Sequence, residues 1–372
     1  MPARAPGYPQ GAFAEELIVD EMAVMAGIDS LELKKKLTTK DVYREMMDLG
    51  AKMIGWKDRK PTGSQTGPMR IGYGIGLASW HSAGPGGDAE VAVHQDGSVE
   101  ARTGTQDPGT GTRTMVGIVA AAGVGVPLSM VSVRIGHSGL PKGPASGGSS
   151  VTPTIAPTME LAAKDAREQV LAIVAKEAGA DASEFDIKNG AITRKGDTVM
   201  DWKQACAKLP VDGIVGKPKG KAENGPGGNE GVQFVKVAVD TETGVVHVQH
   251  VVAIQSTGKV IFRKGAESQV IGAVIQGISN ALFETQVLDR NVGTMLNDNL
   301  ESYKIMGPYD MPKIETVLWT RGQTGVRGCG EPAIVPTSGA VACAIYNAIG
   351  KPVRDLPMTP DRVLAALEGG KS

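Results

Sequence analysis

Fifty of the 372 residues are glycine, and they recur with no fixed period. At about 13% of the chain, that is close to twice the usual share of roughly 7%. Glycine without period excludes a collagen-like rod, and no repeat of 20–50 residues marks a solenoid. What remains is a fold full of tight turns and of places where something bulky approaches the backbone closely. Aromatic residues are scarce at 4%, so the core must rest on Val, Ile, Leu, Met and Ala.

The glycines are densest in function-like surroundings at Gly325-Val326-Arg327-Gly328-Cys329-Gly330-Glu331-Pro332. One carboxylate stands there among small neighbours, just ahead of a proline. In a dry setting such a group is a candidate general base. The alternative is an exposed glutamate ahead of a helix start, where acidic residues are common.

A length of 372 residues allows one large domain or two to three smaller ones. The formal charge of −1, with no dominant Lys/Arg cluster, argues against a nucleic-acid or anionic-membrane surface. Cys206, Cys329 and Cys343 are far apart and form no Cys-x-x-Cys pair, so a private Fe–S cluster or structural zinc is not expected. His81, His94, His137, His247 and His250 lack metal-ligand spacing. There is neither an export signal pattern nor an apolar run of about 18 residues. The expected location is the cytoplasm, or the periplasm if a partner carries the export signal.

Periodicity and turn chemistry divide the chain. Residues 4–11 read as a rigid, turn-rich segment, followed by helices over 12–26 and 42–54. The polar, Pro/Gly-bearing stretch 57–68 is the expected boundary between a unit at 1–60 and a unit at 69–372. Beyond it, residues 69–80 alternate glycine with Ile, Tyr and Leu, and Asp96-Gly97 predicts a hairpin. Helices are expected over 112–122, 157–178, 267–283 and 338–349, with a short last helix opened by Thr359-Pro360-Asp361. Strands are expected at 131–135, 233–240 and 245–254, a small hairpin turns at Asn189-Gly190, and 217–231 reads as a Gly/Pro/Lys loop. The fold class is α+β, with mixed sheets and packed helices.

Four loops carry the chemistry. Gly104-Thr105-Gln106-Asp107-Pro108-Gly109-Thr110-Gly111-Thr112 runs into a helix, and such a start offers free N–H groups and a positive dipole end to an anion. No Gly-Lys-Ser/Thr follows, so it is not a nucleoside-triphosphate loop. Gly143-Pro144-Ala145-Ser146-Gly147-Gly148-Ser149-Ser150 is equally polar and rich in donors. Glu267-Ser268-Gln269 opens an apolar helix, and the fourth loop holds Glu331. Together they point to one large phosphate-bearing cofactor wrapped mainly by backbone. No Gly-x-Ser-x-Gly sits where a serine hydrolase would need it.

Taken in order, these loops resemble the molybdenum-binding large subunit of the xanthine oxidase/aldehyde oxidoreductase (molybdenum hydroxylase) family. The matching pieces are Arg4-Ala5-Pro6-Gly7 with Gln10-Gly11, Gly104-Thr105-Gln106 with Gly109-Thr110-Gly111-Thr112, Ser146-Gly147-Gly148-Ser149-Ser150, Glu267-Ser268-Gln269-Val270-Ile271-Gly272 with Gln276-Gly277, and Gly328-Cys329-Gly330-Glu331-Pro332. Arg354-Asp355-Leu356-Pro357-Met358-Thr359-Pro360 is also typical. The resemblance implies the second molybdenum-binding domain of the xanthine oxidase type over 69–372, preceded over 1–60 by the helical end of the first. It implies a molybdenum–pterin cofactor, in bacteria usually the cytosine dinucleotide, whose dithiolene holds the metal so that no side chain need do so. Glu331 would remove the proton from a Mo-bound hydroxyl, which then attacks an aldehyde or N-heterocycle carbon as hydride passes to Mo=S. Gln106, Gly109, Thr110, Gly111, Thr112, Ser146, Gly147, Gly148, Ser149, Ser150, Gln269 and Gly330 would bind the cofactor, and Arg4 would orient substrate.

The chain departs from the family pattern in three places. It matches about the second half of a usual large subunit, so the expected partners are a chain carrying the other half, a [2Fe–2S] subunit and an optional FAD subunit. Ser256 and Phe262-Arg263 stand where the family has Asp and Asn-Pro. Cys329 replaces a Val- or Ile-like residue and is expected to pack as a small hydrophobe. The rival readings are a reductive relative acting on an aromatic acyl-CoA and a non-catalytic assembly subunit.

Overall fold

A computed structural model describes residues 4–81, 86–220, 222 and 228–369. The helices run α1 (Tyr8–Ala26), α2 (Ser30–Leu37), α3 (Asp41–Ile54), α4 (Thr112–Val124), α5 (Val151–Ala178), α6 (Trp202–Cys206), α7 (Arg263–Leu282), α8 (Thr337–Ile349) and α9 (Pro360–Leu367). The strands are β1 (Met69–Trp80), β2 (Glu90–Val93), β3 (Val99–Arg102), β4 (Val131–Arg134), β5 (Phe185–Lys188), β6 (Ala191–Arg194), β7 (Asp197–Asp201), β8 (Ile214–Gly216), β9 (Asn229–Asp240), β10 (Val246–Ser256) and β11 (Lys313–Trp319).

Three sheets form, in the orders β1-β9-β10-β11, β4-β3-β2-β8 and β5-β6-β7. Parallel pairs β10–β11 and β3–β4 sit beside antiparallel ones, so the first two sheets are mixed and the third is antiparallel, and the class is α+β. In the first sheet the alternation of β1 decides both faces. Tyr73 and Ile75 point into one core with Met46, Met47 and Phe234, which α3 covers. Gly72, Gly74 and Gly76 point the other way, where an added Cβ would lie 1.8 Å from the Ala344 carbonyl, 2.0 Å from that of Ala340 and 2.5 Å from that of Pro336. The glycine stripe therefore lets α8 sink onto the sheet, and every residue of α8 is buried. Glu331 stands at the entry to this helix, so the stripe also sets the depth of the carboxylate.

The second sheet has its own core with α4 and α5, among them Val91, Val116 and Met159. The molecule is thus two lobes, one built on 4–81 and 228–369, the other on 86–216. The expected boundary at 57–68 does not separate cores: Met46 and Trp56 on one side share a core with Tyr73 and Ile75 on the other. Among the described residues, Pro332–Ile349 is long and apolar enough to cross a membrane, and all of it is buried in the core.

Several element limits differ from expectation. Tyr8 to Gly11 form the first turn of α1, because Pro9 suits a helix start. Helix α2 was not anticipated; Asp29 caps it by accepting from the Leu31 N–H at 3.0 Å, and its lysines hid its apolar contacts. Helix α5 begins at Val151, one turn and more ahead of the expected start at Pro157, which it carries inside. Helix α7 begins at Arg263, which moves Gln269 into its second turn. Strands β7, β8 and β11 were not anticipated either, the first joining the Asn189-Gly190 hairpin as a third strand. Part of the expected loop at 217–231 lies outside the described residues, and its end, from Asn229, is strand.

Candidate functional site

The two lobes face each other across a cavity of about 1020 Å³. Lobe two contributes the starts of α4 and α5. Lobe one contributes the first turn of α1, the end of β1, the connection from β10 into α7, and the Gly325–Pro332 loop. Arg4, Gly109, Thr110, Gly111, Thr112, Ser146, Gly147, Gly148, Ser149, Ser150, Gln269, Gly330 and Glu331 all line it. Segments up to 327 residues apart in sequence meet on one wall.

Gln106 does not line the cavity. Its side-chain oxygen accepts from the Ser146 N–H at 3.1 Å, its amide nitrogen donates to the Gly104 carbonyl at 3.1 Å, and its carbonyl accepts from Ser146 Oγ at 2.9 Å. It staples the first two loops together. The free N–H groups expected at the start of α4 are also partly engaged. Asp107 accepts from Gly109 at 3.0 Å, Gly111 at 3.1 Å and Arg113 at 3.0 Å. Partial burial pushes this carboxyl up, but the N–H donors outweigh it and hold the pKa below the ordinary value. The Ser150 hydroxyl is likewise used at home, donating to the Gly147 carbonyl at 2.9 Å.

Arg4 crosses between loops. Its Nε donates to the Gly330 carbonyl at 2.5 Å, and Nη2 donates to the Gln269 carbonyl at 3.0 Å and to the Gln269 side-chain oxygen at 3.3 Å. Burial lowers its pKa while nearby Cys329 and Glu331 act in the opposite sense. The guanidinium therefore braces the Glu331 loop and α7, in addition to facing the cavity.

Glu331 is half-buried rather than enclosed. Its N–H donates to Ser149 Oγ at 2.8 Å, and that hydroxyl lies 3.5 Å from its Oε2. The loop behind it is anchored at several points. The Arg327 N–H donates to the Thr257 carbonyl at 3.0 Å, and Arg327 Nη1 meets Glu230 Oε2 at 2.9 Å. Asn229 donates to the Gly328 carbonyl. Glu230 is buried and also meets Lys40 Nζ at 3.0 Å and Ser256 Oγ at 3.2 Å. Burial raises its pKa, yet Lys40 and Arg327 hold it below the ordinary range. Gly328 is a glycine of necessity, since an added Cβ would lie 1.9 Å from the Ser149 carbonyl. Ser256, one of the departures from the family pattern, thus serves the buried Glu230, and Phe262 packs beside Gly111.

Sequence reasoning did not find Asp107, Asn229, Glu230 or Arg327 as parts of the site. Arg327 was visible inside the quoted octet, but nothing local told that its partner lay 97 residues earlier. Tyr8 and Trp80 were missed as well: their rings meet edge to face at 4.6 Å at the cavity rim, and Trp80 Nε1 donates to the Gly148 carbonyl at 3.2 Å. Cys329 lines the cavity, where burial pushes its thiol up to about 11.

Among the described residues, no three His, Cys, Asp or Glu converge as metal ligands. At Gly109, Gly147 and Gly148 an added Cβ would meet nothing within 4 Å, so these backbones border open space. A wide cavity with bare main chain on its walls and one carboxylate fits a large polar group that carries its own metal.

Comparison with known proteins agrees. The aldehyde oxidoreductase molybdenum-binding subunit PaoC of Escherichia coli (strain K12) is 30% identical over 390 residues, covering 98% of this chain and 52% of the relative. The xanthine dehydrogenase molybdenum-binding subunit of Escherichia coli O157:H7 is 28% identical over 398 residues, covering 97% of this chain and 52% of the relative. This chain thus spans about half the length of the curated relatives it matches. Among solved structures, quinoline 2-oxidoreductase from Pseudomonas putida 86 shares the fold with a TM-score of 0.85 at 20% identity, covering 99% of this chain and 53% of its own. The model of the molybdopterin cofactor-binding domain matches residues 49–312, well over half of the sequence, and the chain belongs to that family.

Proposed function

We propose that this chain is the molybdopterin-binding half of a multi-subunit molybdenum hydroxylase that oxidises an aldehyde or hydroxylates an N-heterocycle. The observation that carries the reading is Glu331 facing, with the bare glycines of two other loops and Gln269 of a third, one cavity between the lobes. When bound, a molybdenum–pterin group, here proposed as the cytosine dinucleotide, supplies an activated oxygen and accepts two electrons. For an aldehyde the balance is RCHO plus water giving RCOOH, two protons and two electrons, the electrons leaving through a [2Fe–2S] partner and an FAD partner where one is present.

The chain's residues do the rest. Glu331 would take a proton on its carboxylate, a general-base contribution of about 10²–10⁴ in rate. The main chain of Gly109–Thr112 and Ser146–Ser150 faces the pterin and its phosphates, and Gln269 adds a side-chain amide. Arg4 keeps Gly330 and α7 in register beneath the carboxylate. Tyr8 offers a planar substrate an aromatic edge, being part-exposed at the rim. A carboxylate on the cavity wall speaks against a purely structural subunit. The complementary half is supplied beside this one, and the unpaired apolar surface between α7 and β11 is its proposed seat. The test is coexpression with that half and the iron–sulfur chain, then molybdenum content and aldehyde turnover. Glu331→Gln is expected to keep the metal and lose turnover by about 10²-fold or more. Equal turnover removes Glu331 from this role.

A further inference from the structure

Ser149 is out of place by backbone rules. Its φ of +57° lies in the left-handed region, where a residue other than Gly, Asn or Asp is uncommon and costs stability. Gly147 and Gly148 precede it, so a third glycine would relieve the turn at once. Such strain persists where the side chain has a task. The hydroxyl accepts from the Glu331 N–H at 2.8 Å, which leaves its own proton free, and the acceptor facing it is Glu331 Oε2 at 3.5 Å. Long contacts of this kind tighten when a site is filled. The main chain joins in as well, since the Ser149 carbonyl abuts Gly328 so closely that no Cβ fits there. Ser149 sits on the second lobe, ahead of the 28-residue α5, and Glu331 sits on the first.

We propose that Ser149 is a positioning residue for Glu331: from the opposite lobe it grips both the amide and the carboxylate of the general base, and the strained turn exists to aim it. The hydroxyl is placed to donate to the carboxylate while it accepts from the amide, so it fixes where the base points. This inference rests on the base role proposed above for Glu331. Arg4, Arg327, Lys259, His81, Tyr8 and Cys329 share the cavity wall. They are common to parent and variants, so a difference between the two reports the hydroxyl.

The test uses the assembled enzyme with Ser149→Gly, Ser149→Thr and Glu331→Gln. Ser149→Gly is expected to melt at the parent's temperature or a few degrees higher and to keep its molybdenum. Its kcat is expected to fall roughly 10- to 100-fold, the worth of a hydrogen bond to a charged group, with little change in KM. Ser149→Thr restores the hydroxyl at a β-branched residue in the same turn, so it is expected to melt lower yet turn over nearer the parent. Activity and stability thus run in opposite orders, which a merely structural serine cannot produce. If Ser149→Gly matches the parent in kcat while Glu331→Gln is inactive, the inference falls and the base assignment stands. If Ser149→Gly loses molybdenum but turns over normally per metal, Ser149 holds the cofactor instead, and the inference falls. If Glu331→Gln is fully active, the underlying reading falls.

Discussion

At the scale of single residues, the site depends on groups that hold other groups. Asp107 gathers the N–H donors ahead of α4, so Asp107→Ala is expected to cost about 1 kcal/mol, as for a lost helix cap, measured by urea unfolding. Because its folded pKa is depressed, its contribution is present above the ordinary carboxylate value of about 4 and lost as pH falls through the folded value. The melting-temperature gap between parent and Asp107→Asn should therefore close in acid. Cys329 behaves oppositely to a reactive thiol. With its pKa near 11, roughly a thousandth is thiolate at pH 8. Iodoacetamide should label it far more slowly in the native chain than after denaturation, and equal rates in the two states would overturn this.

At the scale of elements, small residues govern how helices seat. Gly74→Ala on β1 drives a methyl into the Ala340 carbonyl of α8, and overpacking of this kind costs about 1–3 kcal/mol or more. Gly272 in α7 has open space where its Cβ would go, so Gly272→Ala should gain about 0.5–1 kcal/mol. Opposite signs for two Gly→Ala changes, read from unfolding curves, check the seating of α8. Helices α1 and α2 meet over a buried charge cluster: Lys34 Nζ pairs with Glu16 and lies 3.4 Å from Asp20, while Glu16 Oε1 accepts from the Leu77 N–H at 2.6 Å. Burial raises the Glu16 pKa against the pull of Lys34. Burial also works to lower that of Lys34, but the two carboxylates lift it above its ordinary value. Lys34→Met would leave both carboxylates buried without a cation, an expected loss of about 3–5 kcal/mol. Removing Glu16 as well should restore part of it.

At the scale of the whole molecule, the surface carries an unpaired apolar stretch. Leu288, Val292, Leu296, Leu300 and Tyr309, all between α7 and β11, are exposed, Leu300 at 81%. Exposed apolar side chains gathered in one segment make it a candidate interaction site. Leu296→Asp with Leu300→Asp should leave the unfolding stability of the isolated chain within about 0.5 kcal/mol of parent. It should also reduce retention of the complementary half in a pull-down from coexpressing cells. Unchanged retention would place the contact elsewhere, for instance on the exposed Ile18, Met22 and Met25 stripe of α1.

By itself the sequence determined the α+β class, most helices and the four loops, because turn chemistry, helix stops and glycine alternation are local. Its small neighbours made Glu331 a candidate, and the four loops taken in order gave it a role by resemblance. Helix α2 stayed hidden because its lysines are polar in composition, although Lys34 is buried by its pairing. The start of α7 was misplaced because Arg263 and Lys264 carry no capping signal. Only the tertiary structure decided that Gln106 staples loops rather than lining the cavity, and that Glu230 holds Arg327. It alone brought Ser149 to Glu331 across 182 residues. Pairings at such separations follow from how two cores close on each other, and no local pattern of residues encodes that closure.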